Sequence, residues 1–240
     1  MRGFQPRRNG RPGRVSFSRK IEILYEDDSV IVINKPPGLL TVPVKGLNMP
    51  SALAVLRAEL ESRRQRALVV HRIDRFASGI VLFAKNQRDR EALIRQFLEH
   101  SPVREYLAVV RGHLGEKEGT LVHHFKREEQ VQKLTKAKDP KGTRAELQYK
   151  VEKVLRDATL ARVTLVTGLQ NQIRAQFAAI GHPVVGDRKY APEEADERRI
   201  ARVALHATHL EFEHPRMGKV VGVDSRPPVD FQSLVRSLSR

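Results

Sequence analysis

The residues of this chain best suited to chemistry lie in one short run, His71-Arg72-Ile73-Asp74-Arg75-Phe76-Ala77-Ser78-Gly79. An aspartate stands there between two arginines, in a polar break between apolar runs of strand length, Leu68–Ile73 and Gly79–Ala84. A carboxylate held at a strand end is fixed by a rigid scaffold yet open to solvent, the placement that nucleophilic or proton-transfer chemistry needs. An adjacent guanidinium can orient a carboxylate by directed hydrogen bonds and can also reach a phosphate. Arg72 and Arg75 therefore read as serving its orientation and phosphate contact. Read alone, the run also describes a salt-bridged aspartate in a tight basic turn.

Other chemistries lack residues. With no Cys there is no disulfide, thiol nucleophile or thiolate-held metal. His206 and His209 are three apart in a strand-like segment, where such positions face opposite sides, and His123-His124 have no acidic partners nearby. No metal site is expected. No glycine-rich dinucleotide or phosphate loop occurs, so no nucleotide cofactor is expected either.

The Asp74 run needs elements to hold it. Ile21, Ile23 and Tyr25 alternate with polar residues, and Val30–Ile33 follow a turn signal, which reads as a hairpin ended by Asn34-Lys35-Pro36-Pro37-Gly38. Leu53, Leu56 and Leu60 predict a helix starting near Ser51. Leu93, Ile94, Phe97 and Leu98 predict another, with Asn86 as its cap. Val103–Val110, Ala145–Val151 and Thr159–Val166 read as strands, Ile173, Phe177 and Ile180 as one helix face ended by Gly181, and Arg202–Phe212 as a late strand. Lys133–Lys141, with Lys126 and Arg127, reads as a basic loop between strands. Hairpins mixed with single helices argue an α+β fold with a mixed, largely antiparallel central sheet.

The chain has 240 residues, 44 Lys+Arg against 28 Asp+Glu, and a net charge of +16. A hydrophobic share of 40% with 30% charged residues is that of a globular protein. No apolar stretch is long enough to span a membrane, and no secretory signal follows Met1, so a cytoplasmic location without membrane contact is expected. The charge calls for a polyanionic partner. Seven of the basic residues lie in residues 1–20, which carry no acid. Residues 1–18 read as a flexible basic arm ahead of a domain over 19–240. A mitochondrial presequence is the competing reading, but Pro6, Pro12 and three glycines spoil its amphipathic helix.

Five segments, in order, carry a family resemblance. HRIDRFASGIVLFAKN resembles the central H-R-L-D-x-x-T-S-G motif of the RluA-type pseudouridine synthases. NKPPGLLTVP (34–43), REYLAVVRG (104–112), GLQNQIRAQFAAIGHPVVGD (168–187) and LHATHLEFEHP (205–215) resemble four further segments of that family. The resemblance implies the pseudouridine synthase fold, with a catalytic cleft across the sheet. It also implies isomerisation of a uridine in structured tRNA or rRNA, without cofactor or metal, by a monomer. By this matching Asp74 is the catalytic carboxylate, Tyr106 stacks on the flipped uracil and assists proton transfer, and Arg174 pairs with Asp74. Arg72 fills the gap left by the flipped base. RNA contacts are expected of His71, Arg75, Lys35 and Gln172, and of Lys126 and Lys133 in the basic loop. The sequence departs from the family where G-R-T-H-Q-I-R becomes Gly168-Leu169-Gln170-Asn171-Gln172-Ile173-Arg174, and where Ala77 replaces a Thr. The lost groups read as RNA contacts or loop supports. An RNA-binding homologue without catalysis is the alternative reading.

Overall fold

A computed structural model describes residues 21–129, 131–191 and 199–239. The basic arm expected over residues 1–18 lies outside them. In chain order the elements are β1 (Glu22–Glu26), β2 (Val30–Lys35), α1 (Ala52–Glu61), β3 (Leu68–Val69), β4 (Ser78–Ala84), α2 (Gln87–Leu98), β5 (Val103–Arg111), β6 (Glu118–Glu128), β7 (Val131–Leu134), β8 (Thr143–Val154), β9 (Ala158–Leu165), α3 (Gln172–Ala179), β10 (Leu205–Glu213), β11 (Val220–Asp224) and α4 (Val229–Leu238). All the strands join one sheet, in the order β1-β2-β4-β10-β5-β9-β8-β6-β7, with β11 on β10 and β3 on β4. The β4–β10 pair is parallel and the other strand pairs are antiparallel. The fold is α+β, with a mixed, mostly antiparallel sheet.

Burial decides which strand is central. Every residue of β4 is buried, so its sequence SGIVLFA shows no polar alternation. It lies between β2 and β10. α1 and α2 start at the expected caps: the Ser51 hydroxyl accepts the Ala54 N–H at 3.2 Å, and the Asn86 side-chain Oδ1 accepts the Asp89 N–H at 2.9 Å.

The register then sets the site. Gly79 of β4 lies opposite Ala207 of β10, which lies opposite Tyr106 of β5. The loop carrying Asp74 enters β4 just before this row. Gly79 has φ +107, and a Cβ there would meet the Ala207 carbonyl oxygen at 2.1 Å. Only glycine allows β4 and β10 to approach this closely.

Three expectations change. Of the run Leu68–Ile73, only Leu68–Val69 pairs as a strand. The His71 ring accepts the Leu82 N–H at 3.0 Å, a side chain engaging the β4 backbone just beyond the point where β3 ends. Lys126 and Lys133 are not in a loop but face each other across the β6–β7 hairpin. The late strand begins at Leu205 rather than Arg202, because Arg202 is buried and turns back to pair with Asp230 at 2.7 Å.

Candidate active site

Asp74 stands in the loop that enters β4, its side chain 18% exposed. The loop is fixed from behind. The Lys35 ammonium donates to the carbonyls of Pro36 and Leu39 at 2.9 Å, Arg75 at 3.2 Å and Ala77 at 2.8 Å. One cation thus ties segment 36–39 to the Asp74 loop. The Gly38 N–H donates to the Arg75 carbonyl at 2.7 Å, and Arg75 Nε donates back to the Gly38 carbonyl at 3.0 Å. Thr41 Oγ1 donates to the Ile73 carbonyl at 3.0 Å. Burial pushes Lys35 down to about 7, against the pull of the Asp74 charge. The expected RNA contact by Lys35 is corrected: a fully buried amine engaged by four carbonyls offers nothing to a polyanion.

Arg174 reaches Asp74 from α3, 100 positions away in the chain. Its Nη1 donates to Asp74 Oδ2 at 2.9 Å and to Asn171 Oδ1 at 3.0 Å. Its Nε and Nη2 donate to the two oxygens of Asp187 at 2.6 and 2.8 Å. The Asp187 carboxylate is fully buried and also accepts the N–H groups of Lys189 and Tyr190, at 2.9 and 3.1 Å. The Tyr190 ring lies 5.3 Å from the guanidinium carbon. Burial pushes Arg174 down, but the bonds and charges of Asp187 and then Asp74 outweigh it and hold Arg174 above its ordinary value. A guanidinium fork can satisfy these partners together, whereas a point charge cannot.

The departure at Asn171 has a structural account. Asn171 caps α3 in the left-handed region, φ 57 and ψ 21, which asparagine tolerates better than most residues. Standing where the family motif has His, it supports Arg174.

Tyr106 projects from β5 with 9% exposure. Burial pushes its hydroxyl up to about 12, Arg104 opposing and Asp74 reinforcing the shift. It stays protonated at neutral pH. Arg104, 8% exposed, donates weakly to the Thr167 carbonyl at 3.4 Å. Its buried Nε has no hydrogen-bond partner among the described residues. A Cβ at Gly168 would lie 2.7 Å from Arg104 Nη1, so glycine lets this loop pass over the guanidinium.

Two cavities meet at the Asp74–Arg174 pair and share Arg72, Ile73, Gln170 and Asn171. The first, of 540 Å³, extends past His71, Arg104 and Tyr106. Its size suits a small ligand. The second, of 1150 Å³, extends past Val44, Arg75, Phe76, Arg188 and Lys189. Asp74 is the one acidic residue lining either cavity among the described residues.

The structure thus gathers Asp74, Tyr106, Arg174, Arg72 and His71 around the first cavity, with Arg75 at the second. His71 is tied to the scaffold, its ring stacked on Phe97 at 4.5 Å. Burial, with Arg104 adding to it, pushes His71 down to about 3, so it lines the cavity uncharged. Gln172 lines the first cavity, but its side-chain amide is committed to the neighbouring loop. It is buried, accepts from Thr167 Oγ1 at 2.9 Å and the Leu169 N–H at 2.8 Å, and donates to the Glu146 carbonyl at 3.0 Å. Lys126 and Lys133 line neither cavity, and both pair with Glu128, at 3.4 and 2.6 Å. Asp187 and Arg104 gain parts that the sequence did not give them. Both lie inside the quoted family-like segments, which was the available signal.

Over residues 29–179 the chain matches a family described as RNA pseudouridylate synthase. It is 33% identical over 226 residues to "Uncharacterized RNA pseudouridine synthase YlyB" of Bacillus subtilis, covering 92% of this chain and 73% of that one. It is 35% identical over 212 residues to "Dual-specificity RNA pseudouridine synthase RluA" of Escherichia coli K12, covering 87% and 93%. Among solved structures it resembles "Human RNA Pseudouridylate Synthase Domain Containing 1", with TM-score 0.74 at 25% identity over 91% of this chain and 87% of that one. A second human structure, "Domain Containing 4", has the same fold, with TM-score 0.76 at 19% identity over 90% and 92%.

Proposed function

Because the chain belongs to the RNA pseudouridylate synthase family, and so to the isomerases that act on RNA, we propose that Asp74 is the carboxylate that converts a uridine of structured tRNA or rRNA into pseudouridine. The observation that carries this reading is the 2.9 Å bond from Arg174 to Asp74 at the edge of a 540 Å³ cavity walled by Tyr106.

The reaction breaks the bond from N1 to C1′, forms one from C5 to C1′, and moves a proton from C5 to N1. Formula and oxidation level are unchanged, so neither an electron acceptor nor a group donor enters. The carboxylate can act by attacking C6, attacking C1′, or removing a ribose proton to give a glycal. Each route needs an anionic oxygen held against base and sugar, which favours placement as its main contribution. Arg174, anchored on Asp187, supplies that placement. The reacting atoms are unreachable in a stacked helix, so the uridine is turned out at a cost of about a few kcal/mol. The Tyr106 ring then stacks on the uracil, and its protonated hydroxyl assists proton transfer. Arg72, exposed at the junction of both cavities, fills the gap in the RNA stack.

Asp74→Asn tests the assignment. The variant abolishes tritium release from C5-tritiated total tRNA and rRNA, while its RNA affinity stays within about threefold of the parent. Pseudouridine formed by the variant contradicts the catalytic role. No pseudouridine from the parent protein favours RNA binding without catalysis.

A further inference from the structure

A flipped uridine needs one cavity, and this site has two. The reacting nucleotide stays covalently joined to its neighbours, so the RNA strand must pass next to the Asp74–Arg174 pair on its way in or out. The second cavity adjoins the first at that pair and shares Arg72, Gln170 and Asn171 with it. Its wall presents Phe76, 43% exposed and two residues beyond Asp74. Phe76 thus presents part of its ring to the second cavity, beside the Asp74–Arg174 pair.

A cation packs on the ring. The Arg75 guanidinium lies 4.7 Å from its centroid and is itself fixed by donating to the Gly38 carbonyl at 3.0 Å. Arg188, exposed, and Lys189, half-buried, stand on the wall of the same cavity. A presented aromatic face with cations beside it is the arrangement that binds an unpaired base and its phosphates, because every base has a stacking face.

We propose that the second cavity is a subsite for an unpaired nucleobase adjacent to the target uridine, with Phe76 as its stacking platform and Arg188 and Lys189 toward the flanking phosphates. The proposal rests on the reading of the chain as a uridine isomerase acting at Asp74. It makes the neighbouring nucleotide part of what the enzyme selects.

The test uses the full chain and a synthetic RNA hairpin. The hairpin copies the surroundings of a uridine that the parent protein modifies in total tRNA and rRNA. Matched hairpins carry an abasic nucleotide immediately 5′ or 3′ of that uridine. On the intact hairpin, Phe76→Ala raises KM about tenfold with kcat within about twofold, and Phe76→Trp stays near the parent. On one of the two abasic hairpins the parent and Phe76→Ala become equal. Thermal midpoints by circular dichroism are unchanged. Phe76→Ala acting like the parent on the intact hairpin overturns the subsite. So does an equal loss on intact and both abasic hairpins, which would make the ring a support for the Asp74 loop. A parent protein that modifies no uridine contradicts the isomerase reading instead, so the two failures are distinct.

Discussion

Arg174 spreads one guanidinium over three partners: the buried carboxylate of Asp187, the amide of Asn171 and the exposed edge of Asp74. Asp187 is the anchor and Asp74 is the group being aimed. A lysine would keep the charge but could not span both carboxylates. In steady-state assays we expect Arg174→Lys to lower kcat by about a hundredfold while KM moves less than about threefold. A rise in KM at constant kcat would instead make Arg174 an RNA contact. At this scale Asn171 is the informative departure, since a short amide at a left-handed cap meets the Arg174 guanidinium at a position where the family motif has His.

The site depends on two loops that have no regular structure to hold them. Segment 36–39 and the Asp74 loop are joined by the Lys35 ammonium, which does for four carbonyls what ladder bonds do in a strand. Lys35→Met keeps much of the volume and leaves these carbonyls without their donor. We expect unfolding free energy to fall by about 2–4 kcal/mol in urea titrations followed by circular dichroism, with activity lost in step. Asp74→Asn, by contrast, should lose activity with little change in stability. A Lys35→Met protein as stable as the parent would show that the loops hold each other without the cation.

Over the whole molecule, the net charge of +16 meets a cleft in which Asp74 is the one acid among the described lining residues. Stability carries a different electrostatic signature. Burial pushes His206 down to about 4, with the Ser225 carbonyl pulling against it, and pushes His71 down to about 3. Both lie below the unfolded value of about 6.5, so the unfolded chain takes up these protons first as pH falls. Each histidine therefore removes up to about 1.4 kcal/mol of stability per pH unit below about 6.5. His209 works in the opposite sense: burial lowers it, but Asp224 and Glu211 raise it more. Its contribution is present at low pH and lost as pH rises through its folded pKa. Urea titrations between pH 7 and 5 should show a net loss of stability, and the loss should become smaller in His206→Gln. A flat profile would mean that these rings gain protons in the folded state as readily as in the unfolded one.

The sequence by itself determined the chemistry and much of the architecture. Local patterns sufficed for the α1 and α2 caps, the apolar run of β4 and the turn at Gly181, because caps and periodicity act within a few residues. The ordered motifs identified the family and singled out Asp74, Tyr106 and Arg174. Tertiary structure alone decided which of the polar residues present their side chains to the cleft and which brace it. Lys35 and Gln172 lie in family-like segments as much as Arg72 does, yet burial turns the first two into supports. Lys126 and Lys133 read as a loose basic loop, yet cross-strand pairing folds them into a hairpin with Glu128 between them. The physical reason is that composition fixes how many charges a chain carries, whereas desolvation and partnering are set by neighbours distant in sequence. The 2.9 Å bond between Asp74 and Arg174, 100 positions apart, is a contact of that kind.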